Sequence, residues 1–129
     1  MTEKLKTWSF GTDNNKLIEL VLKGEKRATT SLYDEYIINN EPLPKIGDKS
    51  IIVYDDKTNA CIVEIKEVII TEFKNITEQL AQIEGEGDKF LEYYRNEHKR
   101  IFSSFYPSFN DETKVVFEIF DVKKIYERK

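Results

Sequence analysis

The stretch ACIVEIKEVIITEF, residues 60–73, indicates how the chain folds. In its first half the apolar residues alternate with polar ones: Cys61, Val63 and Ile65. In its second half the apolar positions move by one residue, to Val68 and Ile70. Because side chains alternate between the two faces of a strand, such a change requires one extra residue. The pattern therefore predicts a long strand with a β-bulge or bend near residues 66–68.

The stretch KVVFEIFDVKKIY, residues 114–126, shows the same change. Its apolar positions are first Val115, Phe117 and Ile119, and then Phe120 and Val122. Two long strands that change their apolar face midway are typical of a sheet that curls around a centre. We therefore expect a curled sheet or a small barrel.

A first helix is predicted over residues 13–23, where apolar residues recur every three or four positions. Thr12 or Asp13 can cap its start, since short polar side chains accept hydrogen bonds from free helical N–H groups. Gly24 follows in the place where helices commonly end in a left-handed conformation.

Two shorter strands are predicted at ATTSLY, residues 28–33, and KSIIVYD, residues 49–55. Helical patterns cover residues 77–84 and 88–102, the second with Asp88 as its cap. The order is therefore α-β-β-β-α-α-β. It predicts one α+β domain over residues 1–129, with a curved and mainly antiparallel sheet.

Composition narrows the functional classes. The chain has 20 basic and 24 acidic residues and a net charge of −4, which disfavours tight binding of long nucleic acids. A nucleoside or a short single-stranded oligonucleotide suits this charge better. No segment approaches the roughly 20 apolar residues of a membrane helix, and we expect no signal peptide, because no apolar run follows the charges of MTEKLKTWSF. Cys61 is the single cysteine, so we expect a cytoplasmic protein without disulfides.

The segment GEKRATTSL, residues 24–32, places cations beside hydroxyl groups directly after the first helix. Lys26 and Thr29 are the first candidate site residues. An ammonium group near a hydroxyl can stabilise negative charge that develops on oxygen during a reaction. The alternative is an ordinary surface strand, because threonine is common in strands.

Glu84 is the second candidate. It lies at the predicted C-terminus of the helix over 77–84, where the helix dipole disfavours a carboxylate. A residue that opposes helix stability can be present for another purpose. If the helix ends one residue earlier, Glu84 is simply a solvated surface acid.

Further residues could contact a ligand by stacking, hydrogen bonding or charge: Trp8, Phe10, Arg27, Thr30, Tyr93 and Arg95. The sequence has no glycine-rich phosphate loop, and one cysteine with one histidine cannot form a zinc site of the Cys₂His₂ type. His98 is expected to be a packing or hydrogen-bonding residue of a helix. The remaining candidates for a catalytic role are therefore a lysine, hydroxyl groups and carboxylates.

These residues resemble a known family. GEKRATTSL fits the Gly-x-Lys-x-x-Thr signature of the ASCH (activating signal cointegrator homology) family, with Gly24, Lys26 and Thr29 in the signature positions. The resemblance continues through EPLPKIGDKSIIVYD, AQIEGEGD and LEYYRNEHKRIF, and so covers roughly residues 7–125. This sequence is similar to the larger bacterial members of the family.

The resemblance implies a fold similar to the PUA domain, which is a small β-barrel with flanking helices and a cleft, and a role in RNA biology. One branch of the family hydrolyses the acetyl amide of N4-acetylcytidine, and another has ribonuclease activity. In the first branch a Lys, a Thr and a Glu act together, which correspond here to Lys26, Thr29 and Glu84. Neither a metal nor an organic cofactor is implied.

Two departures from the short amidohydrolases leave the activity open. This chain is longer, and its GEGD segment with the following helix belongs to the other branch. The rival hypothesis is a non-catalytic RNA-binding module that uses the same cleft with Tyr93, Arg95 and the loop over 103–113. Cleavage of single-stranded RNA is a third.

Overall fold

The computed structural model describes residues 5–11, 13–86 and 90–127. A single five-stranded sheet, curled into a half-barrel, carries four helices. The elements are β1 (Lys6–Trp8), α1 (Asn14–Leu22), β2 (Ala28–Leu32), α2 (Tyr33–Ile38), β3 (Lys49–Val53), β4 (Asn59–Glu72), a 3₁₀ turn (Phe73–Asn75), α3 (Glu78–Glu84), α4 (Leu91–Phe105) and β5 (Lys114–Ile125). The strand order is β1-β3-β4-β5-β2, in which only the β1–β3 pair is parallel.

The α+β class and the curled, mainly antiparallel sheet confirm the prediction, whereas the predicted order of helices and strands was incomplete. It lacked β1, which has three residues and pairs with β3, and it lacked α2. The strand predicted over 28–33 ends at Leu32, and α2 starts at Tyr33. Asp34 and Glu35 lie in the first turn of α2, where carboxylates are favourable to the helix dipole.

The last helix lies further along the chain than predicted. It spans Leu91–Phe105 instead of 88–102, and Phe90 is its N-cap residue. Asp88, which we expected to cap it, lies outside the described residues, as does Thr12 before α1. Asp13 is the N-cap residue of α1, but its side chain forms no capping hydrogen bond.

The predicted bulge in β4 is confirmed. Ile65 pairs with Phe120 and Glu67 pairs with Ile119, so Lys66 is the extra residue between two consecutive pairs. A second irregularity follows Ile62 in the same pair of strands. Bulges bend a strand and increase its twist, which is how β4 and β5 curl.

Two apolar clusters pack on opposite faces of the sheet. In β5, Phe117 belongs to the cluster that α3 and α4 cover, and Phe120 belongs to the cluster that α1 covers. Because no residue is inserted between them on β5, the change from odd to even positions moves the apolar side chains from one face to the other.

None of the described helices is long and apolar enough to cross a membrane.

Candidate functional site

The end of α1 positions Lys26. Gly24 has φ of 79°, and the N–H groups of Gly24 and Glu25 donate to the carbonyls of Val21 and Leu20 at 3.0 and 2.9 Å. This is a Schellman motif, so Gly24 lies in the predicted left-handed position. The chain then turns inward, and Lys26 is only 1% exposed. A lysine is almost never buried to this extent without partners.

The ammonium group of Lys26 has three hydrogen-bond acceptors. It donates to the carbonyl of Ala28 at 2.8 Å, to the carbonyl of Glu84 at 3.3 Å and to Glu86 Oε2 at 2.7 Å. It also lies 5.3 Å from the centre of the Phe10 ring. Glu84 and Glu86 are about 60 residues away in sequence, so the Lys26 side chain links the signature segment to the end of α3.

Glu84 is buried and not solvated. It is the last residue of α3 and is 1% exposed. Oε2 accepts a hydrogen bond from Thr30 Oγ1 at 2.5 Å, while Oε1 lies 3.1 Å from His98 Nε2 and 3.9 Å from Lys26 Nζ. The His98 ring is close enough for an ion pair, but it is not aligned for a hydrogen bond to Oε1.

Gly85 allows α3 to approach the signature segment. The N–H of Arg27 donates to the carbonyl of Ile83 at 2.9 Å, so the backbones are in direct contact. A Cβ atom on Gly85 would lie 1.9 Å from the carbonyl oxygen of Glu25, and φ of Gly85 is 77°. Both the contact and the left-handed backbone require glycine at this position.

The surroundings of His98 favour its charged form. Its Nδ1 lies 2.8 Å from the backbone oxygen of Tyr94, which can only accept, so Nδ1 carries a proton. Its Nε2 faces the carboxylate of Glu84. Burial lowers the pKa of His98, but Glu84 outweighs burial and raises that pKa above its ordinary value.

The pKa values of the two carboxylates, Glu84 and Glu86, are shifted in opposite directions. Burial raises the pKa of Glu84, but the nearby charges of Lys26 and His98 outweigh it and hold the pKa below its ordinary value. For Glu86, burial and the charge of Glu84 outweigh Lys26 and raise the pKa. With His98 protonated and both carboxylates ionised, two cations balance two anions.

Glu84, Glu86 and His98 could also act as metal ligands, since their ligand atoms lie within 4.8 Å of one another. The Lys26 ammonium, however, lies 2.7 Å from Glu86 and 3.9 Å from Glu84. A divalent ion in this position would have to displace that cation. We therefore treat the group as an ion-pair network, with Lys26 as its central cation.

Thr30, and not Thr29, contacts Glu84. The hydroxyl of Tyr94 lies 2.8 Å from Thr30 Oγ1, and because Thr30 donates to the ionised Glu84, Tyr94 donates to Thr30. Successive strand residues point to opposite faces, so the Thr29 side chain extends from the other face of β2. There its cross-strand neighbour is Glu118 on β5.

A cleft of about 1410 Å³ runs along the free edge of β2, where the half-barrel stays open towards β1. Both threonines line it, together with Trp8, Phe10 and Tyr93 among the predicted ligand-binding residues. Lys26 and Glu84 do not; they lie behind Thr30, Glu86 and His98, which do.

Two predicted ligand-binding residues lie away from this cleft. Arg95 donates from its guanidinium group to the backbone oxygen of Lys74 at 3.0 Å, and Arg27 is exposed outside the cleft lining. Each of the two exposed arginines directly follows a buried residue, Lys26 or Tyr94.

Sequence reasoning missed four polar residues of the site: Glu86, Tyr94, His98 and Glu118. Tyr94 and His98 are four positions apart on α4 and so share one face, and this spacing could have indicated that they act as a pair. Glu118 interrupts the apolar pattern of β5 between Phe117 and Ile119, but an acid in a strand is ordinarily solvated. No local pattern marks Glu86.

Comparisons with known proteins agree with this architecture. The family model for the ASCH domain matches residues 6–124. The crystal structure of an ASCH domain from Lactobacillus crispatus JV V101 is 30% identical, with a TM-score of 0.87 over 94% of this chain and 80% of that chain. A protein from Enterococcus faecalis V583 gives the same identity and TM-score over 98% of this chain and 80% of its own.

The ASCH protein from Zymomonas mobilis shares only the fold, with 7% identity and a TM-score of 0.55 over 94% of this chain and 71% of that chain. No curated protein matches the sequence. The fold is consistent with an RNA-binding module of the PUA type. The family model spans nearly the whole length, and the chain therefore belongs to the ASCH domain family.

Proposed function

We propose that this ASCH domain binds a nucleoside, or the end of a short single-stranded RNA, in the cleft along β2 and hydrolyses an N-acyl amide of the kind found in N4-acetylcytidine. One observation carries this proposal. The hydroxyl of Thr30, which lines the cleft, donates a 2.5 Å hydrogen bond to a carboxylate that is buried and ionised. A hydroxyl bonded to a carboxylate is the arrangement of a nucleophile with its base.

The residues would divide the reaction as follows. Thr30 Oγ1 attacks the carbonyl carbon of the acyl group, and its proton passes to Glu84 Oε2. Glu84 then gives that proton to the amide nitrogen, the C–N bond breaks, and the free amine leaves. Water hydrolyses the ester on Thr30 by the reverse transfers, which releases the carboxylic acid and restores the hydroxyl.

Lys26 and His98 act through Glu84 and do not touch the substrate. Both cations keep Glu84 ionised in a position from which water is almost excluded, so Oε2 is available to accept the hydrogen bond of the Thr30 hydroxyl. Stacking surfaces for a base are present beside Lys26, where the rings of Trp8 and Phe10 line the cleft and meet edge to face at 4.9 Å.

The proposed role of Thr30 differs from the role that the family signature gives to Thr29, and the two residues can be compared directly. Purified wild type, Thr30→Val and Thr29→Val would be incubated with N4-acetylcytidine, and cytidine would be followed by chromatography. Valine has the shape of threonine without the hydroxyl. We expect the Thr30→Val variant to lose at least about 100-fold in kcat, as for loss of a catalytic nucleophile.

If only the Thr29→Val variant loses activity, the nucleophile is Thr29, on the other face of β2. If the wild type releases no cytidine even at high enzyme concentration, N4-acetylcytidine is not its substrate. Thermal unfolding of both variants would show that each remains folded.

A second function has its own supporting observation. Lys26 and Glu84, the charged pair of the predicted site, are at most 1% exposed and do not line the cleft. This suits a scaffold role in a non-catalytic RNA-binding module. Such a module would show RNA affinity that falls with salt, with a slope set by its phosphate contacts, whereas nucleoside binding would hardly change. Fragments on a gel would indicate a ribonuclease instead.

A further inference from the structure

Glu118 is a carboxyl group that the mechanism above does not use. It lies in the middle of β5, with Val68 of β4 on one side and Thr29 of β2 on the other. Phe120, two residues later on the same face, belongs to the cluster under α1. Glu118 therefore lies on the same face of the sheet as Phe120, and both residues line the cleft.

The Glu118 side chain has no hydrogen-bond or ion-pair partner among residues 5–11, 13–86 and 90–127. Glu118 is only partly buried, and its carboxyl oxygens are not among the buried atoms that lack a partner, so they face the open cleft. They are therefore free to form hydrogen bonds with a ligand in the cleft.

Lys6, Lys16, Lys45 and Lys49 line the same cleft, but among the described residues no cation contributes to the pKa shift of Glu118. Asp48 faces it from the loop before β3, Tyr36 from α2, Thr29 from β2 and Val68 from β4. Glu35 lines the same cleft. Burial, with a smaller contribution from Asp48, raises the pKa of Glu118 to about 7. The group therefore exchanges its proton near neutral pH.

We propose that Glu118 recognises the base of the ligand, donating one hydrogen bond to the Watson–Crick edge of a pyrimidine and accepting another from it. This inference rests on the nucleoside binding proposed above and adds the residue that selects the base. A neutral carboxyl group has one donor and one acceptor side by side. In cytosine the ring nitrogen N3 accepts and the exocyclic amine donates, so the two groups are complementary.

Ionised Glu118 cannot donate, so it would leave N3 of the base without a partner. Binding of a cytosine-type ligand should therefore require the neutral form. For a group with a pKa of about 7, the neutral fraction falls about 30-fold between pH 6 and pH 8.5, and the affinity should fall with it.

The test measures the binding of cytidine by calorimetry at pH 6, 7 and 8.5 to four proteins: wild type, Glu118→Gln, Glu118→Ala and Glu67→Gln. A glutamine side chain has a donor and an acceptor at every pH. We expect Glu118→Gln to bind at pH 6 like the wild type and to keep that affinity at pH 8.5. We expect Glu118→Ala to bind roughly tenfold more weakly at pH 6, since two hydrogen bonds are lost.

Glu67→Gln is the matched control, because Glu67 is an exposed carboxylate on the opposite face of β4. It should bind with the affinity and pH dependence of the wild type. N4,N4-dimethylcytidine is the matched ligand, which lacks the amine hydrogens and should bind the wild type more weakly than cytidine does, because one of the two hydrogen bonds is lost.

Three results would overturn the proposal. If Glu118→Gln loses affinity with rising pH as the wild type does, another group is responsible for the pH dependence. If Glu118→Ala binds cytidine as well as the wild type, Glu118 does not contact the base, and nucleoside binding itself stands. If the wild type binds none of cytidine, N4-acetylcytidine and uridine, this inference and the proposed nucleoside function both fail.

Discussion

Lys26 and Glu84 carry opposite charges in a place that excludes nearly all water. Removing a charge from water costs several kcal/mol, and only close partners offset that cost. Here the partners are supplied by the backbone of Ala28 and by the side chains of Glu86, Thr30 and His98. The network is balanced in charge, so the loss of one member leaves another buried and unpaired.

Replacing Lys26 by methionine should therefore destabilise the fold strongly. Methionine fills a similar volume but leaves Glu84 without its cation, and we expect a loss of about 3–5 kcal/mol in the free energy of unfolding. The double variant Lys26→Met with Glu84→Gln should recover part of this loss, because the unpaired anion is then absent. Urea unfolding of both variants measures the difference.

Lys66→Met is the control for this experiment. Lys66 is exposed at the β4 bulge and pairs with Glu64 and Asp121 at 3.4 and 3.6 Å, so its loss should hardly change stability. An equal effect of Lys66→Met and Lys26→Met would show that the buried network does not stabilise the protein.

At the scale of elements, the site depends on how closely α3 approaches the segment that follows α1. Two glycines in left-handed conformations control this region, with φ of 79° for Gly24 and 77° for Gly85. Their surroundings differ. A Cβ on Gly24 would meet nothing within 4 Å, whereas a Cβ on Gly85 would overlap the backbone of Glu25.

The two glycines therefore make a matched pair of substitutions. Gly24→Ala should lose about 1–2 kcal/mol in unfolding free energy, which is the cost of the left-handed backbone for a residue with a Cβ. Gly85→Ala should lose about 2 kcal/mol or more beyond that, because α3 or residues 25–26 must move. Chemical denaturation of both variants gives the comparison. Equal losses would mean that the close contact at Gly85 relaxes without cost.

At the scale of the whole molecule, stability should depend on pH through groups on both faces of the sheet. His98, Glu86 and Glu118 have raised pKa values in the fold, and Glu84 has a lowered one. A group with a raised pKa binds protons more tightly when folded, so its contribution is lost as pH rises. A carboxylate with a lowered pKa contributes above its ordinary value of 4.5 and loses that contribution as pH falls.

We therefore expect the free energy of unfolding to be largest near pH 4.5 and to decrease from there towards pH 8. Glu118 binds its proton up to about pH 7, whereas an unfolded glutamate releases it near 4.5, so Glu118→Gln should flatten the curve between these values. The contribution of His98 is complete below 6.5 and is lost as pH passes its raised pKa, so His98→Gln should flatten the curve above that range. Thermal melts across this range are the measurement, and stability that rises from pH 5 to pH 8 would contradict the expectation.

The sequence by itself determined the features that depend on neighbouring residues. The bulge at Lys66 follows from the shift of apolar positions between Ile65 and Val68, because a strand has a fixed period of two. The end of α1 follows from Gly24, since few other residues adopt a left-handed backbone. The ASCH signature and the curled α+β fold belong to the same level, because both are carried by local spacing and composition.

Only the tertiary structure decided which side chains meet. Lys26 and Glu84 are 58 residues apart, and nothing local shows that α3 packs against the turn after α1. The choice between Thr29 and Thr30 depends on which face of an edge strand looks towards α3 and α4, and this is set by the packing of Ala28 and Leu32 into the core beneath those helices. Glu84 looked like a residue in an unfavourable place on its helix, and it is buried because cations from two other elements offset the cost of its charge.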